Sequence, residues 1–199
     1  MPIGLLPEAK RRGTTALYAF CRVADDLVDD AVDRAAAAAA LAAFAAATDD
    51  ALAGRPVDAP VLRAVADTVR RYAVPEQCLR EILAGVRMDL DRDRYETPAD
   101  LEFYCSRVAS AVGIAAIHVW GFTDPAALDL AHDCGVAFQL TNILRDIPED
   151  VGRGRVYLPL EDFAACGCRV EDLLAGRIGP EFARLAALET DRAGAVSYT

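Results

Sequence analysis

Apolar residues recur at helical spacing along almost the whole chain, and no Val/Ile-rich stretch alternates apolar with polar residues as a half-buried strand would. That pattern restricts the fold to the all-α class. Alanine and leucine dominate a composition that is 54% hydrophobic and only 7% aromatic, which favours the same class. Helices are expected over about 8–32, through the alanine-rich stretch to 53, and over 58–72 and 75–93. Two more are expected over 97–120 and from Pro125 into "NILRD". "GRPVDAP" and "GFTDP" are breakers, "DVGRGRVYLP" reads as a loop, and shorter helical pieces follow near Glu171 and Glu181. Thr97, Pro98 and Asp100 form a strong start signal: a cap, a first-turn proline and an acid at the positive helix end. At 199 residues, with no repeat or linker, the chain reads as one domain, 1–199.

Several functions are disfavoured at once. The net charge of −10 argues against a nucleic-acid binder, which needs a basic face, yet leaves room for an anionic substrate if metal ions supply positive charge. Cys21, Cys78, Cys105, Cys134, Cys166 and Cys168 contain no CxxC pair, and His118 and His132 complete no zinc pattern. Buried thiols in a reducing compartment are the expectation, and with no secretory signal at the start the chain is expected in the cytoplasm. The longest apolar run, Ala35 to Ala47, is shorter than the roughly 20 residues a bilayer span needs. A peripheral contact with a membrane surface stays compatible with it. No glycine-rich turn follows a strand, so nothing suggests a nucleotide cofactor.

Two acid motifs carry the chemistry. In "DDLVD", Asp25 and Asp29 are four apart and share a helix face with Tyr18, Cys21 and Val32, with Arg22 at its border. The same helix is apolar on most other sides, which marks an internal helix. On a solvated face such a pair repels by only about 0.2–0.5 kcal/mol. In an interior each unpaired charge costs several kcal/mol. The pair therefore faces water, as a plain acidic helix end with Asp26, Asp30 and Asp33, or it meets cations. In "FQLTNILRDIPED", Gly135, Phe138, Gln139, Asn142 and Asp146 share one face. Asp150 continues the step, although Pro148 should kink or end the helix before it.

A polar strip on an otherwise apolar helix needs partners. Two oxygen-rich strips suit magnesium, which binds a few carboxylates together with substrate phosphates. Arg22, Arg145, Arg153 and Arg155 lie close by in sequence, and arginine forks match phosphate oxygens. The pattern reads as two carboxylate clusters clamping a magnesium-bound diphosphate across a helical cavity. The bland alternative is a structural polar network inside a bundle.

"LYAFCRVADDLVDD", "MDLDRDRYETPADLEFYCSRVASAVG" and "FQLTNILRDIPEDVGRGRVYLP" together resemble the squalene and phytoene synthases, in order and spacing, over nearly the whole chain. The resemblance implies an isoprenoid synthase fold around a central cavity. It implies head-to-head joining of two prenyl diphosphates, farnesyl or geranylgeranyl, with Mg2+ (or Mn2+) as cofactor. Asp25 and Asp29 match the first metal motif, and Asn142, Asp146 and Asp150 match the second. Tyr18, Arg22, Gln139 and Arg145 match positions lining the diphosphate site, and Tyr157 matches a further active-site position with Arg155 two residues before it. Tyr104 and Val108 match a cavity-lining helix. Catalytic roles are thus expected for Asp25, Asp29, Asp146 and Tyr157.

The family usually has a segment before "LLPEAKRR" and several helices after the Tyr157 region, so the chain reads as incomplete at both ends, with self-association expected. A non-catalytic prenyl-lipid-binding or assembly-factor member of the same fold is the alternative. Substrate length, C15 or C20, is not readable from the residues.

Overall fold

In the computed structural model, which describes residues 3–197, a 3-10 turn at Ile3–Leu5 leads into ten α-helices. They are α1 (Glu8–Asp29), α2 (Arg34–Leu52), α3 (Pro60–Tyr72), α4 (Glu76–Asp91), α5 (Pro98–Cys105), α6 (Ala111–Trp120), α7 (Ala127–Gly152), α8 (Leu160–Cys166), α9 (Val170–Leu174) and α10 (Pro180–Ser197). A π-helical turn, Ser106–Ser110, joins α5 to α6. There is no strand among the described residues, only an isolated parallel bridge between Arg94 and Val156. The chain is all-α, as its periodicity requires.

The α5 start signal works as its residues dictate. The Thr97 hydroxyl oxygen accepts from the Asp100 backbone N–H at 3.2 Å, and the Asp100 carboxylate accepts from the Thr97 N–H at 3.1 Å. Two helix ends differ from the sequence reading. α1 stops at Asp29, short of Val32, because Asp33 adopts an extended conformation and caps α2, accepting from Ala36 N–H at 2.8 Å. Val32 lies outside the helix and is almost fully exposed. α7 does not end at Pro148 but runs on to Gly152. A proline removes one helical hydrogen bond, and the last turn closes beyond it, with Arg153 N–H donating to Glu149 and Asp150 carbonyls. Nor is α1 apolar-buried on most sides: Val23, Leu27 and Val28 are half-buried, and its fully buried set is Gly13, Thr14, Ala16, Leu17, Phe20 and Ala24.

The core has two parts. One joins α1, α2, α3, α4 and α6 around Phe20, Leu62, Val65, Leu79 and Ala115, with Phe20 stacked on Phe44 at 5.3 Å. The other gathers Tyr95, Leu101, Val136, Leu158, Phe163 and Leu185 from the second half. α4, the π turn and α7 tie the two together. Their approach is close: a Cβ on Gly135 would stand 2.5 Å from Ser110 Cα, and one on Gly85 would stand 2.6 Å from Val108 Cγ1. Residues 34–52 and 98–120 have the length and hydropathy of a membrane span. Here α2 lies against α1, α3 and α4, and the 98–120 stretch lies against α4 and α7. The six cysteines are free thiols; Cys78 and Cys105 are buried, but Cys134 is exposed, against the expectation that all are interior.

Candidate active site

The first acid motif lies beside the end of α4 and is tied by arginines to the loop that follows α7. Asp25 and Asp29 come from the last turns of α1, and Asp89 from the last turn of α4. Asp25 reaches solvent on one side and is backed by the bundle on the other. Its carboxyl is pushed up to about 6, first by partial burial, then by Asp29, Asp89 and Asp26, with Arg22 opposing. Arg22 is ion-paired to Asp26 at 2.7 Å. Asp29 is met from across the bundle by Arg153 at 3.0 Å and by Arg155 at 3.5 Å.

Those two arginines link the motifs. Arg153 also reaches Glu149, one turn after Asp146 on α7, at 2.9 Å. Arg155 faces Asp29, Asp89, Tyr157 and Tyr104. The loop carrying them is pinned to the segment after α4: Val156 N–H donates to the Asp93 carbonyl at 3.2 Å, and Arg94 donates to the Gly154 carbonyl at 2.7 Å. On α7, Asp150 is pushed up to about 6 by burial and by the charge of Asp146, with Arg155 opposing. Asp146 itself is held low by its bidentate pair with Arg145, at 2.7 and 2.6 Å. Gln139 and Asn142 are half-buried and their amides have no partner among the described residues, and the exposed Tyr18 has none either.

Asp89 is the residue the sequence reading missed. It accepts from the Tyr157 hydroxyl at 2.8 Å and from the Tyr104 hydroxyl at 3.1 Å. Burial raises its carboxyl, while the two phenols and Arg155 oppose the rise. The rings of Tyr95, Tyr104 and Tyr157 pack on one another at 5.3 to 5.7 Å. Helical phase carried the signal: Leu79, Ile82, Val86 and Asp89 fall on one stripe of α4, and the first three are buried.

Asp29, Tyr104, Arg153, Arg155 and Tyr157 are thus tied together through Asp89 and the ion pairs, whereas Arg22 pairs with Asp26, Arg145 pairs with Asp146, and Tyr18, Gln139 and Asn142 make no side-chain hydrogen bond among the described residues. Among the described residues no three His, Cys, Asp or Glu side chains converge closely enough to hold a metal alone. Crowded carboxylates on α1 and α7 with raised pKa values, beside unpartnered amides, still match a hard cation. Magnesium uses one or two carboxylates at a time and completes its shell with water and phosphate oxygens. Val108 is half-buried beside Gly85 at the π turn, in keeping with a lining position.

The family model for squalene/phytoene synthase matches residues 1–197. The chain belongs to the squalene/phytoene synthase family. It is 37% identical to phytoene synthase of Arthrospira platensis, over 95% of this chain and 65% of that one. It is 39% identical to 15-cis-phytoene synthase of Synechocystis, over 95% and 59%, and 38% identical to chloroplastic phytoene synthase 1 of Arabidopsis thaliana, over 95% and 46%. It thus spans about half to two thirds of the length of these curated relatives. Among solved structures it resembles squalene synthase HpnC from Alicyclobacillus acidocaldarius, with a TM-score of 0.89 and 32% identity over 98% of this chain and 73% of that one. A dehydrosqualene synthase in complex with ligand gives 0.87 and 33%, over 98% and 67%. The fold is that of these isoprenoid synthases.

Proposed function

We propose that this family member joins two prenyl diphosphates head to head, as a phytoene-type synthase acting on geranylgeranyl diphosphate. The observation that carries the reading is the tie between the motifs: Arg153 and Arg155 hold Asp29 of α1 against the end of α7, beside the Asp146 and Asp150 carboxylates. The C20 choice rests on the relatives named phytoene synthase.

Asp25 and Asp29 on one side, and Asn142, Asp146 and Asp150 on the other, would hold Mg2+, which when bound neutralises the leaving diphosphate. Arg22, Arg145, Arg153 and Arg155 are the forks at hand for its oxygens, with Tyr18 and Gln139 as neutral donors. In binding substrate, Arg153 and Arg155 exchange Asp29 for phosphate. The C–O bond of the first substrate breaks, and its electron pair leaves with diphosphate. The double bond of the second substrate attacks the allylic cation, and closure of a cyclopropane ring releases a proton. The C–O bond to the remaining diphosphate then breaks, the cation rearranges, and loss of a second proton gives the hydrocarbon. The Asp89 carboxylate, reached through the Tyr157 and Tyr104 hydroxyls that donate to it, is the acceptor for a released proton, at a site whose aromatic wall excludes water.

Incubation of the chain with Mg2+ and either farnesyl or geranylgeranyl diphosphate, followed by mass spectrometry of extracted lipids, tests this. A C40 hydrocarbon from the C20 substrate is expected. A C30 product alone would replace the phytoene-type reading by a squalene-type one. Magnesium-dependent binding of both substrates with no product would favour the non-catalytic lipid-binding alternative.

A further inference from the structure

The proposed reaction uses none of the six cysteines, and two of them, Cys166 and Cys168, stand a single glycine apart where α8 ends. Gly167 caps α8 in the left-handed region, at φ 70° and ψ 24°. That backbone is open to glycine and strained for other residues. It also sets the distance between the cysteines. Two Cα–Cα steps of about 3.8 Å, folded back through a left-handed residue, end roughly 5.5 Å apart, inside the range a disulfide spans. Through an extended residue they would end about 7 Å apart, at the edge beyond which no bridge closes. Hydrogen bonds hold the turn from both sides. Gly167 N–H donates to the Ala164 carbonyl at 3.1 Å, and Cys168 N–H donates to the Phe163 carbonyl at 2.8 Å. The Arg184 guanidinium of α10 donates to the Cys166 carbonyl at 3.0 Å.

Both cysteines are half-buried against the second core part, so solvent reaches each of them. The Cys168 thiol is raised above its ordinary value, first by burial, then by Cys166 and Glu181, with Arg184 opposing. Cys168 also lines a cleft of about 430 Å3 whose walls include Arg169, Asp172, Arg177 and Glu181. Charges of both signs there suit a peptide-sized disulfide that carries carboxylates and an ammonium group. A zinc site would need more ligands: among the described residues no third His, Cys, Asp or Glu converges on the pair closely enough to share a metal. The chemistry left to two thiols at this spacing is with each other.

We propose that Cys166 and Cys168 are a redox-sensing modification site, closed to an internal disulfide by a low-molecular-weight disulfide and reopened by the matching thiol. The Cys168 thiolate in the cleft attacks one sulfur of the incoming disulfide; a mixed disulfide forms and one thiolate leaves. Cys166 gives up its proton, attacks the Cys168 sulfur of the mixed disulfide and expels the second thiolate. The pair loses two electrons and two protons, and the incoming disulfide gains both as two thiols. A bridge across one residue closes a small, strained ring. Strained and exposed disulfides are the labile ones, so this one opens and closes even in a reducing compartment. The inference needs no catalytic activity from the chain.

Trypsin releases both cysteines in one peptide, residues 156–169, which holds no other cysteine. The native chain is incubated with oxidised glutathione, quenched with iodoacetamide and digested, and the peptide is weighed by mass spectrometry; a parallel sample is oxidised in urea. The expected product is the peptide short of two hydrogens. It should exceed the glutathione adducts of the same peptide by at least about tenfold, because a fixed neighbouring thiol acts at high effective concentration. The bridged share should fall in urea, where the Gly167 turn is lost. An excess of reduced glutathione should return the native chain to the doubly alkylated peptide. Cys166→Ser keeps the size of the side chain and removes the resolving thiol, so Cys168 should then hold a glutathione adduct at least about tenfold above that of the parent chain. Four results would each overturn the proposal: adducts that outweigh the bridge in the native chain, a bridged share no higher in the native chain than in urea, a bridge that reduced glutathione does not open, or no adduct on Cys168 in Cys166→Ser.

Discussion

Replacing Asp89 by asparagine keeps its shape and removes the charge that Tyr104 and Tyr157 meet. The amide still accepts from one phenol, so the fold should persist. Turnover should fall by about 10²–10³, the usual cost of losing one preorganised electrostatic group. Melting curves of Asp89→Asn close to those of the parent protein, together with that loss of rate, would support the role; an unchanged rate would remove Asp89 from the site. The placement of Asp25 and Asp29 on α1, and of Asn142 and Asp146 on α7, was legible in the sequence because each motif repeats oxygen-bearing side chains at helical spacing. Asp89 was not, since it opens the run "DLDRD", which looks like an ordinary solvated helix end. Its helical phase with the buried Leu79, Ile82 and Val86, and the packing of Tyr104 and Tyr157 on it, separate it from Asp91 and Asp93, both exposed.

Helix by helix, the periodicity located α1 to α7, and the errors fell where tertiary packing overrides local preference. α7 passes Pro148 because its flanking turns pack against the second core, where Ile147 and Val151 are half-buried. The π turn between α5 and α6 left no sequence signal beyond the glycines that face it. Gly135 makes a sharp prediction at this scale. Its missing Cβ would lie 2.5 Å and 2.6 Å from the Ser110 backbone, where nothing flexible can yield. Gly135→Ala should cost about 1–3 kcal/mol or more through overpacking. Gly194, inside α10 with no atom within 4 Å of its Cβ site, should gain up to about 1 kcal/mol on change to alanine. Denaturant midpoints of the two variants should move in opposite directions; the same direction for both would contradict the packing described.

At the scale of the whole molecule, charge links pH to stability and metal to binding. Glu189 of α10 is buried with Asp162 of α8; Arg192 lies 2.9 Å from Asp162, and Cys105 of α5 faces the same spot. Burial first, and then Asp162, push the Glu189 carboxyl up to about 7 against the pull of Arg192. A native pKa above the unfolded one means stability that is present in acid and lost as pH rises through the native value. The melting temperature should therefore drop by roughly 5 °C between about pH 5 and 8. Glu189→Gln should flatten that slope, and an unchanged slope would assign the drop to other groups. The central claim is that the α1 and α7 motifs act together on one diphosphate. The direct measurement is calorimetric titration of a non-hydrolysable geranylgeranyl thiodiphosphate into the protein, with Mg2+ and without, and into Asp25→Asn and Asp146→Asn separately. Binding that requires Mg2+ and falls at least tenfold in both variants is the predicted result. Binding indifferent to Mg2+, or lost in only one of the two variants, would contradict it.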